Sequence, residues 1–488
     1  MFLDEIVLFV YFFSLVVLLL FSSHGFIMMF YHNKYAKNLP KPSDDTVYDD
    51  IVTIQLPLYN ELYVVKRLIN SICSIDYPKD KLEIQVLDDS TDETVNIADR
   101  VIKEKQALGF DIQHIRRENR IGFKAGALKE GLKTAKGKYV AIFDADFLPK
   151  PDFLKQTLRY FNSPKVGMVQ SRWEHLNEDY SILTKVQALA LNGHFVIEQS
   201  VRNKAGFFIQ FNGTAGVWRK ECIEDAGNWQ IDTLTEDLDL SYRAQIKGWK
   251  FIYLRDFTTP AELPLEMNAL KAQQFRWTKG AIETMKKTLP LVWKSKVSLR
   301  IKLQGTFNLT NNFVFPFILM AGILNVPLVF IKNSGPWSNI FNFMAIFVLA
   351  FISSFLFYLY AQKDVHIDWR KKIVYFPLFM AGSMGMALNN TRAVIEGLLN
   401  RKSAFVRTPK YKVTKKGESF TKNKYFKNTK VDKSAIIELM LAIYCLIGLV
   451  AAIYFLEIAA IPFHLMFFLG FSLIAVLSLK RSSLKKVA

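Results

Sequence analysis

Asp144 and Asp146 stand one residue apart, directly after the tight apolar run Tyr139-Val140-Ala141-Ile142-Phe143. Such a run, rich in β-branched and aromatic residues and preceded by the turn-prone Ala135-Lys136-Gly137, predicts a buried strand. Alternate side chains of a strand share a face, so acids at i and i+2 at its carboxyl end point the same way. Two converging carboxylates repel unless a cation sits between them, and hard oxygen ligands suit Mg²⁺ or Mn²⁺. The carboxyl edge of an α/β sheet is also where such folds bind ligands. Taken alone, the pair is more simply a solvated turn after a strand. Its surroundings decide.

Two other strands end in polar residues: Pro57-Leu58-Tyr59-Asn60-Glu61 and Leu87-Asp88-Asp89-Ser90. Three such strand ends on one sheet edge would make a nucleotide site, although each alone is ordinary turn chemistry. The elements that must position them lie between residues 50 and about 290. Strands are expected at Ile51–Pro57, Leu82–Leu87, Asp111–Ile115 and Lys138–Phe143. Helices are expected from Glu61, after Thr91-Asp92-Glu93 and around Lys124–Lys133. That alternation predicts a mostly parallel, doubly wound α/β sheet with helices on both faces. No G-x-G-x-x-G or Walker A pattern occurs, which argues against a dinucleotide Rossmann site and a P-loop.

The chain has 488 residues, 51% of them hydrophobic, and a net charge of +19 from 63 basic and 44 acidic side chains. Apolar segments flank the α/β region. Ile6–Tyr31 is long enough to span a bilayer and lacks the basic start and small-residue cleavage site of a signal peptide. Further spans are expected at Asn311–Ile331, Asn339–Ala361, Ala435–Leu456 and Ile458–Leu479, about five in all. The shorter run Ile373–Leu388 is followed by a strongly basic stretch, 401–433. Reading 373–400 as interfacial or re-entrant keeps that stretch, the basic tail and residues His32, Lys34, Lys37 and Lys41 on the cytoplasmic side. The predicted organisation is an N-terminal span and linker (1–49), a cytoplasmic domain (50–297) and membrane and interfacial helices (298–488). Much of the +19 charge is then cytoplasmic-face charge, and no nucleic acid partner is called for. Cys73, Cys222 and Cys445 lack C-x-x-C spacing, so neither a disulfide framework nor a zinc site is expected.

The ordered set P-L-Y-N-E, V-L-D-D-S-T-D, F-K-A-G-A-L, D-A-D, Thr235-Glu236-Asp237 and Gln273-Gln274-Phe275-Arg276-Trp277 resembles the family 2 glycosyltransferases of GT-A fold. With spans on both sides, the chain looks most like the processive cellulose synthase-like A and C group. The resemblance implies that Asp144 and Asp146 hold Mg²⁺ or Mn²⁺ against a nucleotide sugar, UDP-glucose or GDP-mannose. It implies that Pro57, Tyr59 and Glu61, with Asp88 or Asp89, hold base and ribose, and that Lys124 contacts the nucleotide. Asp237 would be the general base of an inverting transfer, with Glu236 beside it. Arg276 would grip the pyrophosphate, and Trp277 would stack on the acceptor sugar near Gln273. The glycines of Phe211–Gly216 would let backbone approach the acceptor. Phe405-Val406-Arg407-Thr408-Pro409-Lys410 is similar to a gating loop, with Arg407 where the family has valine, so Thr408 and Lys410 are expected over the nucleotide. The expected product is a β-linked polysaccharide made at a bacterial inner membrane, with a glycan acceptor and the lipid bilayer as partners. A glycolipid synthase adding one sugar is the alternative. A non-enzymatic transporter or scaffold would leave the acids structural.

Overall fold

The computed structural model describes residues 2–44, 48–334, 341, 344–403, 406–428 and 434–487. Uninterrupted apolar runs and short turns give seven strands: β1 Val52–Leu58, β2 Leu82–Asp88, β3 Asp111–Ile115, β4 Tyr139–Ile142, β5 Val166–His175, β6 Gly216–Arg219 and β7 Lys250–Ala261. They form one sheet in the order β3-β2-β1-β4-β6-β5-β7, parallel except for β6. Its strands bury both faces, as a sheet covered by helices on each side must. The four expected strands are present within a residue or two of their expected limits.

Register positions the site. Leu58 pairs with Asp88, while Gln55 pairs with Ile142. Continued past Ile142, the same register sets Asp144 level with Pro57. All three polar strand ends therefore meet on the carboxyl edge. Helix Glu236–Ile246 and helix Met267–Lys294 bring the later motifs to that edge.

Among the described residues, four helices are long and apolar enough to cross a membrane: Phe2–Lys34, Leu299–Ser334, Ser434–Tyr454 and Ile461–Leu479. The fifth expected span, Asn339–Ala361, lies partly outside the described residues. Its described part includes helix Val348–Val365, which runs back along the first helix. Phe347 meets Phe12 edge-on, Ser353 Oγ donates to the carbonyl of Ser22, and Asp364 pairs with His32. Asp364 also pairs with Arg255 of the sheet domain, so this segment returns to the domain side.

The stretch 373–400 forms two helices, Phe376–Gly385 and Ala387–Leu398. Lys372 before them pairs with Glu178 at 2.6 Å, and Lys279 donates to the carbonyl of Arg401 after them. Both ends rest on the sheet domain, so the pair enters and leaves on one side. The basic stretch that follows packs back onto the sheet domain as a strap, residues 406–428. Lys424 pairs with Glu93, and the Tyr425 hydroxyl donates to Asp92.

Candidate active site

The carboxyl edge of the sheet opens into a cavity of about 180 Å³. From the strand ends it is bordered by Pro57, Tyr59, Glu61, Asp89, Asp144 and Asp146. From the helices come Lys124, Glu236, Asp237, Gln273, Arg276 and Trp277, and from the strap Arg407, Thr408 and Lys410. Of the residues expected to hold donor or metal or to take part in the transfer, all but one thus border one cleft. Asp88 is the exception. It is fully buried, accepting a hydrogen bond from the Ser90 backbone N–H at 2.9 Å and lying 3.0 Å from His114 Nε2. Burial works to raise its pKa, but these hydrogen bonds hold the carboxyl below the usual range. The strand ends at Asp88, so its side chain points into the fold while the next residue turns out to the cleft. Asp89 is the member that faces the cavity, gripped by Arg117 Nε at 2.9 Å and Nη2 at 2.5 Å. Phe405 lies outside the described residues.

Asp144 sits two residues beyond the end of β4, its backbone N–H donating to Thr214 Oγ1. Its carboxylate accepts from Lys124 Nζ at 2.5 Å, and Asp146 accepts from Lys410 Nζ at 2.6 Å. Burial opposes both ammonium charges, yet the adjacent aspartates raise both lysine pKa values. Two carboxylates side by side fit a Mg²⁺ or Mn²⁺ that takes its other ligands from phosphate and water. The described residues hold no group of three or more His, Cys, Asp or Glu side chains suited to a metal.

Lys124 also bonds the Gly213 carbonyl at 2.8 Å. Gly213 has φ +78°, and a Cβ there would lie 2.9 Å from Asp237 Oδ2. The Phe211–Gly216 stretch thus reaches the cleft at Gly213. Gly216 does not, because its Cβ would meet the Phe211 ring. Asp237, in the first turn of its helix, accepts from its neighbour's backbone N–H at 2.8 Å. Burial, and then the charge of Glu236, push its carboxyl up to about 7, against the pull of Lys124 and Arg276. A carboxyl poised near neutrality inside a cleft is what a general base needs. Asp239, on the same helix, instead pairs with Arg243 and Lys287 and is wholly buried.

Trp277 packs edge-on to Trp173 at 6.4 Å between centroids, giving the cleft an apolar wall. Glu61 pairs with Arg407 at 3.0 Å, and burial pushes its carboxyl up to about 7 despite that partner. Sequence reasoning missed two residues that border the cleft, Trp173 and Arg120, whose guanidinium stacks 3.3 Å over the Tyr59 ring, and a third outside its border, Glu262. Glu262 follows β7, pairs with Arg67, and accepts the backbone N–H groups of Tyr411 and Lys412. Its own N–H donates to Asp146, so it ties the strap to the aspartate pair. The arginine-rich run Arg116–Arg120 at a strand end was the signal for Arg120. Glu262 had none.

Comparison with known proteins closes the question of kinship. A glucomannan 4-beta-mannosyltransferase of Arabidopsis thaliana (number 9) is 33% identical over 414 residues, covering 81% of this chain and 74% of that one. The chain belongs to glycosyltransferase family 2, in its cellulose synthase-like group. The family profile described as "Glycosyltransferase like family 2" matches residues 50–280 of this family 2 chain. Glucomannan 4-beta-mannosyltransferase 1 of Oryza sativa subsp. japonica is 39% identical over 315 residues, 61% of this chain. The match spans 60% of that relative's length. The solved mannosyltransferase PcManGT of Pyrobaculum calidifontis, in complex with GDP-Man and Mn²⁺, shares the fold at TM-score 0.55 and 20% identity. The alignment covers 80% of this chain and all of that one. These relatives are plant and archaeal proteins, and none of them speaks for a bacterial membrane.

Proposed function

We propose that this protein is an inverting hexosyltransferase that extends a β-linked polysaccharide from a nucleotide sugar. Mannose from GDP-mannose is the donor that the relatives' names favour over UDP-glucose. The observation that carries the reading is the cleft bordered by Asp144, Asp146 and Asp237, with Lys124 on Asp144 and Lys410 on Asp146. Asp237 takes the proton from an acceptor hydroxyl as its oxygen attacks the anomeric carbon, and the bond to the nucleoside diphosphate breaks. A single displacement inverts an α-linked donor to a β-linked product, so no second nucleophilic carboxylate is required. Arg276 presents a planar fork to the diphosphate, and Lys410 and Arg407 add positive charge from above. Trp277 and Trp173 supply a flat wall for the acceptor sugar. Asp144 and Asp146 would hold Mg²⁺ or Mn²⁺, which when bound neutralises charge building on the departing diphosphate. Glu61, Tyr59 and Asp89 face the nucleoside end.

Both ends of the re-entrant pair, the strap and the sheet domain share one side, which the basic residues mark as cytoplasmic. The growing chain would leave through the membrane helices. The test is sugar transfer by membranes carrying the protein, with labelled GDP-mannose and UDP-glucose in parallel and Mg²⁺ or Mn²⁺ added. A long labelled polymer digested by β-mannanase is the expected product. Label that extracts into organic solvent as a single-sugar lipid would replace the polymer reading with a glycolipid enzyme. Transfer unchanged by Asp237→Asn would remove that residue from the role of base.

A further inference from the structure

A second, larger cavity of about 730 Å³ lies on the neighbouring face of helix Met267–Lys294, against Met267, Leu270 and Gln274 rather than Gln273 and Trp277. One wall is made by membrane helices: Phe315 from one span, Phe379 from the re-entrant pair, and Ile474 and Leu477 from the last span; Ile182, Val186 and Ala190 of helix Ile182–Asn192 form the opposite wall. The room comes from a splay between helices. At Gly385 and Gly470 the re-entrant pair and the last span touch so closely that a Cβ would strike backbone, whereas at Gly382 it would meet nothing within 4 Å. The side nearest the sheet domain is closed by Phe420 and Phe426 of the strap.

The chemistry of the lining names its occupant. Several of the polar side chains that border it are engaged elsewhere. Gln187 donates to the carbonyls of Leu183 and Pro264, Asn268 to that of Ser478, and Glu266 accepts from the Tyr411 hydroxyl. A sugar entering here would give up its shell of water for few partners, which is costly, whereas a hydrocarbon chain gives up nothing. Helices long and apolar enough to cross a membrane form one wall, so lipid is the neighbouring phase on that side.

We propose that this cavity holds an acyl chain of a membrane phospholipid, seated against Phe420 and Phe426 of the strap. The strap that carries Arg407, Thr408 and Lys410 into the catalytic cleft is thereby supported from beneath by lipid. Tyr411, at the end of that inner stretch, stacks on Phe420 with 5.0 Å between centroids. The cavity and its occupant do not depend on which sugar is transferred, or on whether any is.

The test uses the full chain in vesicles of phosphatidylethanolamine and phosphatidylglycerol that contain a phospholipid with a diazirine near the acyl terminus. After irradiation, labelled residues are mapped by mass spectrometry. Outward faces of the spans are labelled in any case. Label on Phe420 or Phe426, which belong to the strap rather than to a span, is the expected result, since only the cavity brings an acyl chain to them. Gly382→Trp fills the cavity from a helical position and is expected to abolish the strap label while leaving that on the spans. Ala190→Phe, from the opposite wall, is the second variant should the first not fold, as judged by its melting curve. Label confined to outward faces, or strap label unchanged in a folded filled variant, would overturn the proposal. So would strap label displaced when donor and metal are added and a glycan grows, because the cavity would then be the sugar's path.

Discussion

Asp237 shows how much of the chemistry rests on the surroundings of single residues. An ordinary aspartate titrates near 4, but this carboxyl is pushed up to about 7 by burial and by Glu236. A base works only when deprotonated, so kcat/KM is expected to fall about tenfold per pH unit below about 7 and to level off above it. Asp237→Asn is expected to cut kcat roughly 100- to 10,000-fold and to erase that acid limb in the residual rate. A limb near pH 4 in the native enzyme would contradict the assignment. Arg407 gives a second expectation. It pairs with buried Glu61, bonds the Asn60 carbonyl and stacks 4.2 Å over the Tyr425 ring. Arg407→Val restores the residue of the resembling loop but strands Glu61, and should cost about 1–3 kcal/mol in thermal or urea unfolding. The KM for donor should rise more than kcat falls. Asp144, Asp146, Asp237, Arg276 and Trp277 were legible because each belongs to a local motif with fixed spacing. Whether Asp88 or Asp89 faced the cleft was not legible, since it turns on where the strand ends. The pairing of Arg407 with Glu61 joins residues 346 positions apart, and no local pattern announces such a contact.

At the scale of elements, the strap and helix Met267–Lys294 form one device. Two buried lysines on that helix hold the two ends of the strap segment, with Gln273, Arg276 and Trp277 between them. Lys279 bonds Ser403 Oγ at 2.7 Å and the Arg401 carbonyl, while Lys271 pairs with Glu438 at 2.7 Å and donates to Ser434 Oγ. The similarity of Phe405–Lys410 to a gating loop suggested a lid. In the fold its two cations nearest the cleft, Arg407 and Lys410, turn inward to carboxylates. Lys279→Met keeps the length and apolar stem of the side chain but releases the first end. The expected outcome is a several-fold higher donor KM with a smaller change in kcat, and faster proteolytic cleavage within 406–428, because a loosened strap samples open states. Equal cleavage of variant and native protein would show that the lysine only fills space. Strands β1 to β4 were readable as apolar runs with turns at each end, whereas β5 and β7 were not among the expected strands. Strand β6 was not, because Gly216–Arg219 is four residues long and its preceding glycine-rich loop reads as site rather than sheet. Its antiparallel course follows from pairing with β4 and β5 at once.

Over the whole molecule, the charge pattern and the helix ends agree on which way the chain is threaded. The hairpin tip around Ile458, between the last two spans, lies beside Lys332 and Asn333 at the end of the second span, through Glu457. The strap, both ends of the re-entrant pair, and Asp364 at the end of the returning helix all rest on the sheet domain. The tip and the strap are therefore on opposite faces, and basic residues concentrate on the strap's face as the positive-inside rule requires. An apolar run of 373–388 counted as a span would have reversed this arrangement, and it was the charge after it, not its hydropathy, that made it legible as re-entrant. The returning helix, 18 residues long with Lys363 and Asp364 near its end, is not among the four long apolar helices. Cysteine labelling decides the matter. In a chain with Cys73 replaced by alanine, Ile458→Cys is expected to react with an impermeant maleimide added outside intact cells. Lys416→Cys should react only after the membrane is opened. Both sites are on stretches where a maleimide meets no steric bar, Ile458 being 77% exposed. Reaction of Lys416→Cys in intact cells would put the strap, and with it the catalytic cleft, on the outer face. Donor sugars made in the cytosol could then not reach it, and the transfer reaction proposed for the cleft would fall with the topology.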